Sequence, residues 1–100
     1  MNVRMWFVGV PIEFDSANTV ERAELEPAGA TFVIANHYRP TDPAELWFVP
    51  GRGLFWGHAS ARTLTSVCGD PRLILAQIGI AVAKILQKRA ALEVSDGRQT

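Results

Sequence analysis

The residues of this chain best suited to chemistry crowd into one segment: Asn36, His37, Arg39 and Asp42, then Trp47, Arg52, Trp56 and His58. His37 followed by Asp42 is a pairing able to act as a general base with an orienting carboxylate. A plainer reading places His37 at a strand end, hydrogen-bonded to a loop, with Asp42 capping a short turn at Asp42–Leu46. His37, His58 and Asp42 would make an acceptable metal-ligand set, but no short-spacing motif joins them, and neither metal nor cofactor is expected. Arg52 between two tryptophans, Trp47 and Trp56, has the composition of a protein-binding hot spot, to which Arg39 adds a second guanidinium.

The stretch NHYRPTD, Asn36 to Asp42, fits an NHxxxxD pattern that resembles the first motif of the glycerolipid acyltransferases. In that family the motif follows an apolar strand, as ATFVIANH would here. The resemblance implies His37 as the base that deprotonates an acceptor hydroxyl and Asp42 as its orienting partner. It covers seven residues. Arg39 stands where the family usually has serine, Pro40 where a helix should begin, and VPGRG lacks the glutamate of the family's second motif. Cys68, the single cysteine, is expected on the apolar side of a helix as inert packing.

Those residues need a scaffold, and the chain is long enough for one. One hundred residues with 48% apolar and 20% charged content describe a single globular core. We read residues 1–94 as one domain and 95–100, which lack periodicity, as a flexible tail. Net charge is zero, but the first half holds seven acids against three arginines and the second half reverses that ratio. The split can draw the halves of one fold together, or two copies head to tail. There is no basic excess to suggest nucleic acid. The apolar run from Leu73 is too short to span a bilayer. One cysteine, and an N-terminus without a signal pattern, suggest a cytoplasmic protein.

Val3 to Phe14 is β-branched and aromatic, so it reads as two strands joined near Gly9 and Val10, with Pro11 at an edge. DSANTVERAELEP predicts a helix capped by Asp15 or Ser16 and stopped by Pro27, although its apolar stripe of Ala17, Val20 and Ala23 is weak. ATFVIANHY reads as a central strand covered on both faces. ELWFV and LFWGH flank PGRG, a hairpin turn with two glycines able to take positive φ. Pairing Val49 with Leu54 puts Leu46, Phe48 and Phe55 on one face and Trp47, Val49, Leu54 and Trp56 on the other, both of them apolar.

SARTLTSVCG predicts a short helix capped by Ser60 and ended by Gly69. Asp70-Pro71 then begins a long helix whose polar residues share one sector, so that it needs more than one apolar neighbour. The expected architecture is α+β: a small antiparallel sheet of the N-terminal strands, the central strand and the hairpin at 46–57, packed against the long C-terminal helix and one or two shorter ones. Surplus apolar surface and missing catalytic motifs favour a small non-catalytic interaction domain, an accessory or inhibitory factor of a bacterial or phage kind. Its expected partners are a second copy of itself and another protein. An enzyme centred on His37 and Asp42 is the alternative, and a small-ligand binder with Trp47 and Trp56 lining a pocket between sheet and helix is a third reading.

Overall fold

A computed structural model of the chain describes the backbone of residues 2–36 and 41–97, and the side chains of 4–36, 41–88, 90 and 91. Its elements are β1 (Asn2–Phe7), β2 (Val10–Glu21), a single 3-10 turn (Arg22–Glu24), β3 (Thr31–Asn36), β4 (Ala44–Val49), β5 (Gly53–His58), β6 (Thr63–Val67) and α1 (Pro71–Gly97). The six strands form one curled antiparallel sheet in the order β1-β2-β6-β5-β4-β3, with α1 against it. The α+β expectation therefore holds in outline, with one α-helix among the described residues rather than two or three. That helix runs through Gly97, which takes in the first residues of the expected tail.

Both missing helices are strands, for related reasons. In SARTLTSVCG the helical spacing of Ala61, Leu64 and Val67 competes with a Thr-Leu-Thr-Ser-Val stretch rich in β-branched residues. β6 occupies the gap between β2 and β5, so its backbone bonds on both sides, which a ten-residue helix could not match. The other segment, DSANTVERAELEP, continues β2 as far as Glu21. As a helix it would have presented only its weak alanine stripe; as a strand it buries Val20 opposite Leu64.

β2 bends between Asp15 and Thr19, where residues 16–18 have no partner on β6. An odd number of inserted residues reverses the alternation of side chains. Phe14 accordingly points into one core and Val20 into the other. The turn between β1 and β2 is centred on Val8 and Gly9, both at positive φ (46° and 82°). That is the backbone of a two-residue hairpin, one residue earlier than expected, and it is strained for a β-branched valine. Pro11 pairs with Trp6 on one side, and β6 joins β2 only from Phe14 onward, so the missing N–H lies where the sheet has no second neighbour.

ATFVIANHY does contain a strand, but β3 lies at the edge of the sheet rather than its centre, and Phe32 is left exposed. The β4–β5 hairpin forms where expected, with its register shifted by one residue: Val49 pairs with Gly53, Phe48 with Leu54, Trp47 with Phe55 and Leu46 with Trp56. Pro50 and Gly51 make the turn, closed by the Arg52 N–H donating to the Val49 carbonyl at 3.0 Å with Gly51 at φ 79°. Gly53, at φ 102°, is then absorbed into the strand. One face carries Leu46, Phe48, Leu54 and Trp56, and the opposite face Trp47, Val49 and Phe55.

Each hairpin face has its own core. The inner one gathers Phe7, Ile12, Phe14, Leu46, Leu54 and Val67 under Ile74 and Ile78 of α1. The outer one packs Val20, Val49, Phe55 and Leu64 beneath Leu25, with Ala30 and Trp47 at its margin. α1 starts as its sequence requires. Asp70 caps it, its carboxylate accepting the Arg72 N–H at 2.9 Å, and Pro71 takes the first position.

Candidate functional site

His37 and Arg39 lie outside the described residues. Asp42, the other half of the expected dyad, is built into a loop clasp. Its Oδ1 accepts the Ser60 N–H at 2.9 Å and its Oδ2 accepts the Ser60 hydroxyl at 2.8 Å. His58 Nδ1 donates to the Asp42 carbonyl at 3.1 Å, and the Ala59 N–H donates to the Pro43 carbonyl at 2.8 Å. Asp42 thus ties the approach to β4 onto the β5–β6 loop, and Ser60, expected to cap a helix, is its partner. Among the described residues no group of three metal-ligating side chains converges.

The hairpin residues expected to make one binding surface are dispersed. Trp47 and Trp56 face opposite cores because they are separated by the corrected register. Trp47 rests edge-on against Phe32, ring centres 5.4 Å apart, and donates its indole N–H to Glu45 Oε1 at 3.2 Å. Trp56 stacks at a tilt on Phe14, 4.9 Å away. Arg52 reaches across to the bend in β2, donating from Nη2 to Asn18 Oδ1 and to the Thr19 carbonyl, both at 3.1 Å, while its guanidinium lies 4.9 Å from the Phe55 ring centre. At that distance the cation and the ring attract. Arg52 fastens two parts of the sheet together.

Arg22 does similar work on the outer core and carries no recognisable signal in sequence. Its side chain donates to the Ala61 carbonyl at 2.7 Å, to the His58 carbonyl at 2.8 Å and to Glu45 Oε1 at 2.8 Å. One half-buried guanidinium so joins the 3-10 turn, the β5–β6 loop and β4, in the fork geometry that suits arginine. Cys68 follows β6 rather than lying in a helix, and its N–H donates to the Glu13 carbonyl at 2.7 Å. Desolvation, with smaller contributions from the Glu13 and Asp15 carboxylates, raises the thiol above its ordinary pKa, which keeps it protonated and unreactive at neutral pH.

The largest departure from a sealed surface is on α1. Ile74 and Ile78 are buried under the sheet, whereas Leu73, Ile80 and Leu86 are exposed by 64%, 59% and 56%. Leu73, Ala76, Ile80, Ala83, Gln87 and Ala90 follow one another at spacings of three and four, and all six are exposed. That spacing makes a continuous stripe on a helix. It lies away from the buried face, flanked by Gln77, Lys84 and Lys88, so α1 carries exposed apolar side chains on the side opposite its covered one. No acidic residue occurs between Pro71 and Leu92.

No described helix is long and apolar enough to cross a membrane. Comparison with family models, curated proteins and solved structures gave no match.

Proposed function

We propose that this chain is a small non-catalytic protein-interaction domain whose contact surface is the outer stripe of α1, with a second copy of the chain as its partner. The observation that carries this reading is the exposure of Leu73 and Ile80 in this stripe, on a helix already anchored by its opposite face. Exposed apolar surface that is contiguous, rather than scattered, marks an interaction site.

The stripe is self-complementary in an antiparallel pairing. Aligning two copies so that Ile80 of one meets Ala83 of the other also brings Leu73 to Ala90 and Ala76 to Gln87. Every layer then combines a long side chain with an alanine, which lets the two helices approach closely without a void. Lys84 comes level with Gly79 of the second copy and Lys88 with Leu75, so no lysine is driven against another. Lys84 and Lys88 stay at the flank of the seam and keep their charges in water. A two-fold pairing of this kind uses one patch twice and closes on itself.

Sedimentation equilibrium tests the reading. The intact chain should sediment at twice its mass at micromolar concentration, and Ile80→Lys should sediment as a monomer with an unchanged circular dichroism spectrum. A wild-type chain that stays monomeric, or an Ile80→Lys variant that remains dimeric, would count against α1 as the contact surface.

A further inference from the structure

We infer that the groove between the β1–β2 turn and α1 binds a single-chain anionic amphiphile, with its chain in the groove and its headgroup on Lys84 and Lys88. The site lies where the cover over α1 runs out. Ile74, Ile78 and Ile85 follow one another at spacings of four and seven, which is one face of a helix, yet the first two are exposed by 9% and 4% and Ile85 by 43%. Where α1 passes the β1–β2 turn a groove of about 550 Å³ opens between them, within the range of small-molecule sites. Val8, Val10 and Pro11 form one wall, and Ile80, Ala81 and Ile85 the other.

The charges beside this groove give it a chemical preference. Lys84 brings the one charge among its lining residues. Lys88 follows four residues later, so the two ammonium groups share one side of the helix a turn apart. Like charges at that spacing repel, and an anion between them removes the repulsion. Among the described residues neither lysine is in an ion pair. No acidic residue lies between Pro71 and Leu92 on α1, and none lies between Val8 and Pro11 on the turn. Two cations without a counter-charge therefore border an apolar concavity, and an anionic amphiphile complements both.

The groove takes residues of α1 from Gln77 to Ile85, about 12 Å of helix, which suits one hydrocarbon chain of moderate length. Its source is a free amphiphile rather than a membrane, because the apolar side chains wall a concavity that one chain can enter and a bilayer surface cannot. Helix pairing is not required. Ile80 borders both the stripe and the groove, whereas Lys84 and Lys88 lie at the flank of the seam, where the headgroup stays accessible.

Octanoate and octanol, which share a chain and differ in the charge of the headgroup, are suitable probes. Titrated into the 15N-labelled intact chain, both should shift the amide resonances of Val8 to Val10 and of Gln77 to Ile85 and saturate, with octanoate binding about fivefold tighter. That preference should fade in about 1 M sodium chloride. In the double variant Lys84→Gln, Lys88→Gln the two probes should bind equally, with octanol unchanged from the wild type. Both lysines lie off the stripe, so sedimentation of this variant reports pairing separately from the loss of the octanoate preference. Val8→Asn suits the positive φ of the turn and so keeps the hairpin, but it takes an apolar side chain from the wall, and both probes should weaken together. Equal affinity of the two probes for the wild type, shifts confined to residues outside the groove, no binding of either at millimolar concentration, or capture on anionic phospholipid vesicles without saturable octanoate binding would overturn the inference.

Discussion

Leu46 and Phe55 stand on opposite faces of the β4–β5 hairpin and neither has surface open to water, whereas Leu73 and Ile80, on a helix with nearly as much apolar side chain, are mostly exposed. The hairpin has a neighbour on each side. Its inner face meets the curl of the sheet and α1, and its outer face is closed by the bent second half of β2 and the segment through Leu25 to Ala30. Among the described residues the helix has a neighbour on one side only. Sheet surface can be covered by bending the sheet that carries it, but a straight helix cannot fold over its own outer face.

Four substitutions sharpen that contrast, and they differ in expected size. Phe55→Ala should be the most damaging, costing about 3–5 kcal/mol of stability because it opens a cavity in a core with no route to collapse. Urea unfolding should show it as a fall in midpoint with little change in slope. Arg22→Met comes next. It removes the guanidinium bonds to Glu45 and to the carbonyls of His58 and Ala61, leaving the Ala61 carbonyl without this donor, at about 1–3 kcal/mol. Hydrogen exchange should reveal the loss first over Leu25–Ala30 and β4, because the cover over the outer core loosens before the inner core does.

Asp70→Ala removes the cap of α1 and should cost about 1 kcal/mol. A drop of a few degrees in thermal midpoint would register it. Ile80→Lys should change the stability of the separate protomer by no more than about 0.5 kcal/mol, as befits an exposed side chain. Measured at a concentration where the wild type is dissociated, its thermal midpoint should match the wild type's. A loss as large as that of Phe55→Ala would mean that the outer stripe is covered within the protomer, and the contrast between hairpin and helix would be void.

Some of this was legible before any coordinates. PGRG specifies a turn because proline fixes one φ and two glycines accept positive values, and both glycines do so. Asp70-Pro71 specifies a helix start for reasons equally local. The continuous apolar character of ELWFV and LFWGH required cover on two sides, and the hairpin has it. For the candidate sites the sequence was less informative. It singled out Trp56 but grouped it with Trp47 and Arg52, because a one-residue error in register reverses every side chain on a strand. Arg22 and Ser60 carry no signal of the bonds they make, since their partners lie far along the chain.

What the sequence determined by itself was therefore whatever a few neighbouring residues could settle: two turns, a helix cap, the apolar surplus of the hairpin and of α1. The tertiary structure decided the rest. Thr63–Val67 and Val10–Glu21 are strands because each finds backbone partners on a neighbouring strand, and a short segment of mixed propensity takes the form its partners allow. The three-residue bend in β2 decided which side chains enter which core. The packing of α1 beside the β1–β2 turn set the groove at Lys84 between elements that no sequence pattern joins. Local conformation follows from the covalent chain, while the fate of an apolar face depends on which other face reaches it, and only the folded chain brings those faces together.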